Sequence, residues 1–345
     1  MRPASTLPRD SALPALEGFV REMLGVPPGA DVLEKKVNSR VYRLRCDAVN
    51  GTARSFVAKR LAPEIARRNE LVVRRWLPAV GLGDAAPPLL AVVAERDSAS
   101  VWHLYEDLGD SGLDAVQPDG GRVRMAVAVI ARIHLRFAGH ALTPELRLWG
   151  GDLGVRFYVA NVRDAIASLE AMRSRRPGLG EERSSVCDRL LARLARLRDE
   201  ETERAEALTR FGGPETLLHG DLWPMNVLVG SHGEKPWVRL IDWDHAAVGP
   251  VAYDLSTFLS RFAVEDRMPI LRLYEQEIAG AGWALPSDAE LNQAFETAEL
   301  GRISNRVIWP ALAAWKDGVE WAVDALEEVE RWFERLAPVL PLDEA

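Results

Sequence analysis

The residues whose types and spacing could do chemistry together lie between His219 and Asp242. There the chain reads His219-Gly220-Asp221-Leu222-Trp223-Pro224-Met225-Asn226, then an apolar run Val227-Leu228-Val229, then a second run ending in Leu240-Ile241-Asp242-Trp243. Phosphoryl transfer calls for such a set: a carboxylate held beside a hydroxyl, and oxygen ligands for a divalent cation. Asp221 is the candidate base, set against the ordinary role of a loop aspartate, which is to cap a turn. Asn226 offers a neutral oxygen and Asp242 a charged one, the donors magnesium prefers. Each alone has an equally good structural explanation. As a pair flanking a hairpin they are expected to converge on one end of a small sheet built from Leu217-Leu218, Val227–Val229 and Leu240-Ile241. His219 is expected to support the loop by hydrogen bonds rather than to react.

A second candidate is a cation. Lysine occurs only at positions 35, 36, 59, 235 and 316 of a chain otherwise rich in arginine. Strand alternation puts Val57, Lys59 and Leu61 on one face, so Lys59 stands in an apolar setting. To stay charged there it needs a negative partner. Glu70 on the following helix is the first choice and Glu64 the second; the alternative is a lysine snorkelling from an edge strand. Before the first hairpin strand lies Val37-Asn38-Ser39-Arg40, where a phosphate-covering loop would sit. It has no glycine and matches neither a Walker A nor a G-x-G-x-x-G pattern, so Asn38 or Ser39 and backbone N–H groups would have to serve.

The elements that must position these residues are legible from periodicity. A helix is predicted over 15–25, strands over 41–46 and 55–60 about an Asn50-Gly51 turn, and a helix over 64–77. Strands over 89–95 and 101–106 follow, meeting at a turn over 97–100. Glu106-Asp107-Leu108-Gly109-Asp110 breaks the periodicity and makes a natural linker. Beyond it, helices are predicted over 122–137, 161–172, 182–208, 253–262, 268–279, 288–300 and 307–336, the last with room for a break inside it, interrupted by short strands over 216–218, 227–229 and 238–241. The expected organisation is an N-terminal lobe, 1–108, of sheet plus one helix with a leader helix, and a helical C-terminal lobe, 109–345.

Composition narrows the function classes. At 345 residues with 48% hydrophobic and 27% charged side chains, the chain is ordinary for a soluble globular protein of two domains. A net charge of -8 argues against a nucleic-acid partner. No run of about 18 apolar residues exists, so no membrane partner is expected. The first residues lack a signal-peptide core, which makes the cytoplasm the expected compartment. Cys46 and Cys187 have no metal-ligand spacing and read as plain thiols.

With these residues in place the sequence resembles the aminoglycoside phosphotransferase and choline kinase-like family, a branch of the protein-kinase-like fold. The resemblance runs through Asn38–Leu44, Val57-Ala58-Lys59, Tyr105–Leu108, His219–Val229, Ile241-Asp242-Trp243-Asp244 and Tyr253-Asp254-Leu255, most of residues 30–262. It implies an α+β, bilobal kinase-like fold and an ATP- or GTP-dependent transfer of a γ-phosphate to a small-molecule hydroxyl. It implies Asp221 as base, Asn226 and Asp242 as Mg2+ ligands, Lys59 as the phosphate lysine with Glu70 as its partner, and Glu106–Leu108 as the hinge that bonds the base. Asp254 would brace the catalytic loop. Trp243-Asp244 stands where protein kinases have Phe-Gly, and no Ala-Pro-Glu segment occurs, so a small molecule is preferred over a protein. Trp309, Trp315 and Glu320, on the later helices, could hold a cationic acceptor of the aminoglycoside type, in resistance or self-protection. A nucleoside antibiotic or a metabolite such as choline, homoserine or a sugar is the enzyme alternative. A catalytically idle nucleotide-binding module is the other.

Overall fold

The computed structural model describes residues 32–36, 40–47, 53–95, 99–175, 181–317, 319 and 321–341. The predicted leader helix, the Asn50-Gly51 turn, Asn38, Ser39 and Glu320 lie outside the described residues. The chain divides into two compact units, Met1–Ser111 with Arg239–Asp244, and Gly112–Val238 with His245–Ala345.

The first unit is an antiparallel sheet of five strands, β1 (Val32–Lys36), β2 (Val41–Asp47), β3 (Ala53–Leu61), β4 (Leu89–Ala94) and β5 (Val101–Glu106), in the order β1-β2-β3-β5-β4. On β3, Phe56 and Ala58 are buried while Val57 and Lys59 are only half-buried, the alternation expected when one face meets a core. The register places Lys59 between Val41 on β2 and His103 on β5. Helix α1 (Pro63–Leu71) starts with proline at its first turn and continues through a π turn, Val72–Trp76, into Leu77–Ala79. Ala66, Asn69, Val72 and Trp76 are buried at helical spacing, whereas Glu70 is half-buried.

The second unit is mostly helical: α2 (Gly120–Phe137), α3 (Thr143–Gly150), α4 (Val155–Arg175), α5 (Glu181–Asp199), α6 (Glu201–Phe211), α7 (Ala252–Leu259), α8 (Val264–Ile278), α9 (Asp288–Asp317) and α10 (Trp321–Arg335). Asp119 caps α2, its carboxylate accepting from the Arg122 N–H at 2.8 Å. The longest helices, α4 and α9, pack along each other over a core that includes Tyr158, Leu169, Leu190, Leu194, Val307 and Leu326. Buried Cys187 belongs to the same core, and burial pushes its thiol pKa up.

Several predicted boundaries change. The helix predicted over 182–208 is two helices meeting at Glu200. Arg196 and Arg198 close α5 while Glu201 and Glu203 open α6, so each end carries the charge its helix dipole favours. The break predicted between 300 and 307 is absent, and α9 runs unbroken to Asp317. A helical glycine costs only about 1 kcal/mol, which packing against α4 outweighs. Helix α3 was not predicted, although Thr143-Pro144-Glu145 carries the residues of a helix start. The three short strands do not share one sheet: β6 (Glu215–Leu218) pairs with β9 (Ala247–Pro250), and β7 (Val227–His232) pairs with β8 (Lys235–Leu240).

Candidate active site

In the second unit the catalytic-loop candidates follow β6. His219 is buried, and its backbone N–H donates to Asp254 Oδ2 at 2.7 Å; the Gly220 N–H donates to Asp254 Oδ1 at 2.9 Å. Asp254, in the first turn of α7, also faces His134 Nε2 at 3.4 Å, and His134 Nδ1 lies 2.9 Å from the Tyr274 hydroxyl. Burial alone would raise the Asp254 pKa. The hydrogen bond and charge of His134, with the His219 N–H, hold it below the ordinary value instead. Gly220 has φ +79°, and a Cβ there would stand 2.0 Å from the His245 carbonyl oxygen, so no other residue fits this turn.

The loop is then tied across itself. The Trp223 N–H and Asn226 Nδ2 both donate to the Asp221 carbonyl oxygen, at 2.8 and 2.9 Å, and the Asn226 N–H donates to the Trp223 carbonyl at 2.8 Å. With Nδ2 occupied, Asn226 has its Oδ1 left to offer a cation. The Asp221 and Asn226 side chains are half-buried. Arg261 lies over the Trp223 ring, 3.5 Å from its centroid.

In the first unit, Lys59 Nζ donates to Asp244 Oδ1 at 2.7 Å and also pairs with Asp242. The lysine side chain is 12% exposed, Asp244 9% and Asp242 44%. Asp242 has φ 66°, the only left-handed non-glycine backbone among the described residues. Holding such a residue costs about 1–3 kcal/mol and concentrates at functional sites. His103, opposite Lys59, is buried, and its Nδ1 lies 2.9 Å from the Tyr105 hydroxyl. Burial, assisted by the nearby Lys59 charge, pushes the His103 pKa down to about 4, so the ring is neutral at pH 7.

At the predicted hinge, the Glu106 N–H is taken by the Pro88 carbonyl at 3.2 Å, and the Glu106 side chain is exposed. The Leu108 N–H has no hydrogen bond among the described residues. Arg43 forms an ion pair with Asp107, Nε lying 2.9 Å from the carboxylate, which ties the linker to β2.

Not every predicted site residue arrives where it was expected. Glu70 does not meet Lys59: it pairs with Arg67 at 3.4 Å and Arg74 at 3.0 Å on the outer side of α1. The helix phase turns Asn69 inward instead, and Asn69 Nδ2 donates to Asp244 Oδ1 at 3.0 Å. Of the acceptor candidates, Trp309 is exposed on α9, whereas Trp315 packs against the helical core. The structure therefore adds Asp244, Asn69, His103 and His134 to the set. Asp244 was visible in the Ile-Asp-Trp-Asp run, but its buried, lysine-binding place was not.

This fold, with these residues on it, is that of a small-molecule kinase, a phosphotransferase with an alcohol group as acceptor. The sequence profile of the Phosphotransferase enzyme family matches residues 33–291, and the chain belongs to that family. No curated protein sequence matches it. Three solved structures show the same protein-kinase-like α+β fold at low identity. A Plasmodium vivax ethanolamine kinase is 14% identical, with a TM-score of 0.61 over 95% of this chain and 89% of the other. A spectinomycin phosphotransferase, solved with ADP and spectinomycin, is 15% identical, with a TM-score of 0.57 over 95% of both chains. A Cryptosporidium parvum choline kinase is 13% identical, with a TM-score of 0.55 over 94% of this chain and 96% of the other.

Proposed function

We propose that the protein transfers the γ-phosphate of ATP or GTP to a hydroxyl of a small molecule, with Mg2+ as cofactor. One observation carries the reading: a half-exposed Asp221 side chain on a loop whose backbone is locked by Asn226 and by buried Asp254. A base for phosphoryl transfer has to be held this way, because positioning supplies most of the catalysis.

In this reading Asp221 orients the acceptor hydroxyl and takes its proton as the oxygen attacks in line. Asn226 Oδ1 and the Asp242 carboxylate are hard oxygen donors that suit magnesium. When bound, the ion offsets charge on the phosphates. Lys59 holds phosphate oxygens, and the free Leu108 N–H bonds the nucleotide base. No enzyme-bound phosphate intermediate is required.

The acceptor is the open choice. Relatives in fold are an ethanolamine kinase, a spectinomycin phosphotransferase and a choline kinase, and these names set the panel to be tried. An aminoglycoside-type antibiotic comes first in it. With Trp315 packed against the core, Trp309 is the exposed one of these two tryptophans and the candidate to hold a cationic acceptor. The test is Mg2+-dependent consumption of ATP and GTP across aminoglycosides, nucleoside antibiotics, amino alcohols, homoserine and sugars. Phosphorylated product with one class is the expected result. Tight ATP binding with no product from any of them would favour the idle nucleotide-binding module.

A further inference from the structure

The geometry points to Asp244, anchored by Asn69, as the positioning residue that holds the Lys59 ammonium toward the nucleotide phosphates, in place of Glu70. The inference rests on the proposed role of Lys59 as phosphate ligand.

Three contacts hold Asp244 in place. Lys59 Nζ donates to its Oδ1 at 2.7 Å, Asn69 Nδ2 donates to the same oxygen at 3.0 Å, and Arg68 donates to its backbone carbonyl. Asn69 is 2% exposed and its Nδ2 is also 3.0 Å from the Ile65 carbonyl, so the amide is fixed by its own helix. Glu70 is already balanced by Arg67 and Arg74. To reach Lys59 it would have to leave both and displace Asn69 from the buried face of α1.

The two acids near Lys59 differ in a way that divides their work. Asp242 is 44% exposed and Asp244 is 9% exposed. The left-handed backbone at Asp242 leads into a single 3-10 turn, Trp243–His245, which brings both carboxylates to one ammonium. A cation binding at Asp242 would compete with Lys59 for that carboxylate. The Lys59 side chain is 12% exposed, and of its two carboxylate partners Asp244 is the one that stays. Asp244 thus keeps Lys59 aimed while Asp242 is given over to the metal.

The test compares Asp244→Asn, Asp244→Glu and Glu70→Gln in the full chain. ATP affinity is read by titration calorimetry with and without Mg2+, kcat and KM for ATP by turnover, and folding by thermal unfolding. Losing a charged hydrogen-bond partner is worth about tenfold to a hundredfold. Asp244→Asn is expected to weaken ATP binding by about tenfold or more, with and without Mg2+, and to raise KM for ATP more than it lowers kcat. Asp244→Glu should recover part of the loss, and Glu70→Gln should stay within about twofold of the parent. A Glu70→Gln loss as large as that of Asp244→Asn, or an Asp244→Asn variant that binds ATP normally, would overturn the assignment. If Asp244→Asn does not fold, Asn69→Ser takes its place and is expected to weaken ATP binding in the same sense; unchanged binding overturns the proposal. Absence of product with every acceptor would count against the proposed function, whereas the ratio of ATP affinities still decides on Asp244.

Discussion

Gly220 stands between Asp221 and the buried Asp254, and its backbone permits no other residue. With φ +79° and the His245 carbonyl oxygen 2.0 Å from any added Cβ, Gly220→Ala must move either the loop or the β9 approach. A loss of about 3 kcal/mol or more is expected on thermal or denaturant unfolding; an unchanged midpoint would show that the loop gives way freely. His103 supplies a pH test of the first unit. Its pKa is lowered to about 4 in the fold, against an ordinary value of 6.5. Between those values the unfolded chain takes up a proton that the folded one refuses, so stability falls as pH falls through that window. The loss amounts to about 3 kcal/mol at most. His103→Gln is expected to flatten this part of the stability profile, measured by urea unfolding from pH 7 to pH 4. At this scale the sequence spacing was enough to single out Asp221, Asn226, Asp242 and Lys59 as candidates. It could not tell which of the neighbours Asn69 and Glu70 faces inward, because a single step along a helix turns a side chain by about 100° and packing fixes the phase.

The second unit depends on two long helices lying close. Gly301 sits inside α9 where an added Cβ would be 3.3 Å from the Tyr158 Cα on α4. Gly301→Ala requires the α4 backbone to give by a few tenths of an ångström, while Gly301→Leu would wedge the helices apart at a further cost of about 1–3 kcal/mol. Circular dichroism melts of the two variants would check this, and equal melting points would contradict it. Strongly periodic elements such as β3, β5 and α2 were legible with small boundary shifts. The pairing of β6 with β9 was not, since Ala247-Val248-Gly249-Pro250 is too short and too rich in glycine and proline to announce a strand. Likewise α9 appeared broken because Gly301 weakens local propensity, and only its partner helix shows why the break does not happen.

Across the whole molecule, the antiparallel sheet followed by a helical unit was legible because periodicity changes from two to 3.6 after the Glu106–Asp110 linker. Among the described residues no helix is long and apolar enough to cross a membrane. Family membership and fold make the chain a small-molecule kinase, but neither identifies the acceptor. Trp309→Ala, on the exposed face of α9, is expected to raise KM for the acceptor about threefold or more and leave KM for ATP unchanged. An unaltered acceptor KM would place the binding surface elsewhere. The central claim is that Asp221 carries the chemistry on a loop that Asn226 and Asp254 hold rigid. It is tested most directly by following label from γ-labelled ATP into an acceptor, with Mg2+, for the parent and for Asp221→Ala. The expected result is a fall in kcat of about a thousandfold or more with ATP affinity nearly unchanged. Transfer by Asp221→Ala at the parent rate would contradict the account.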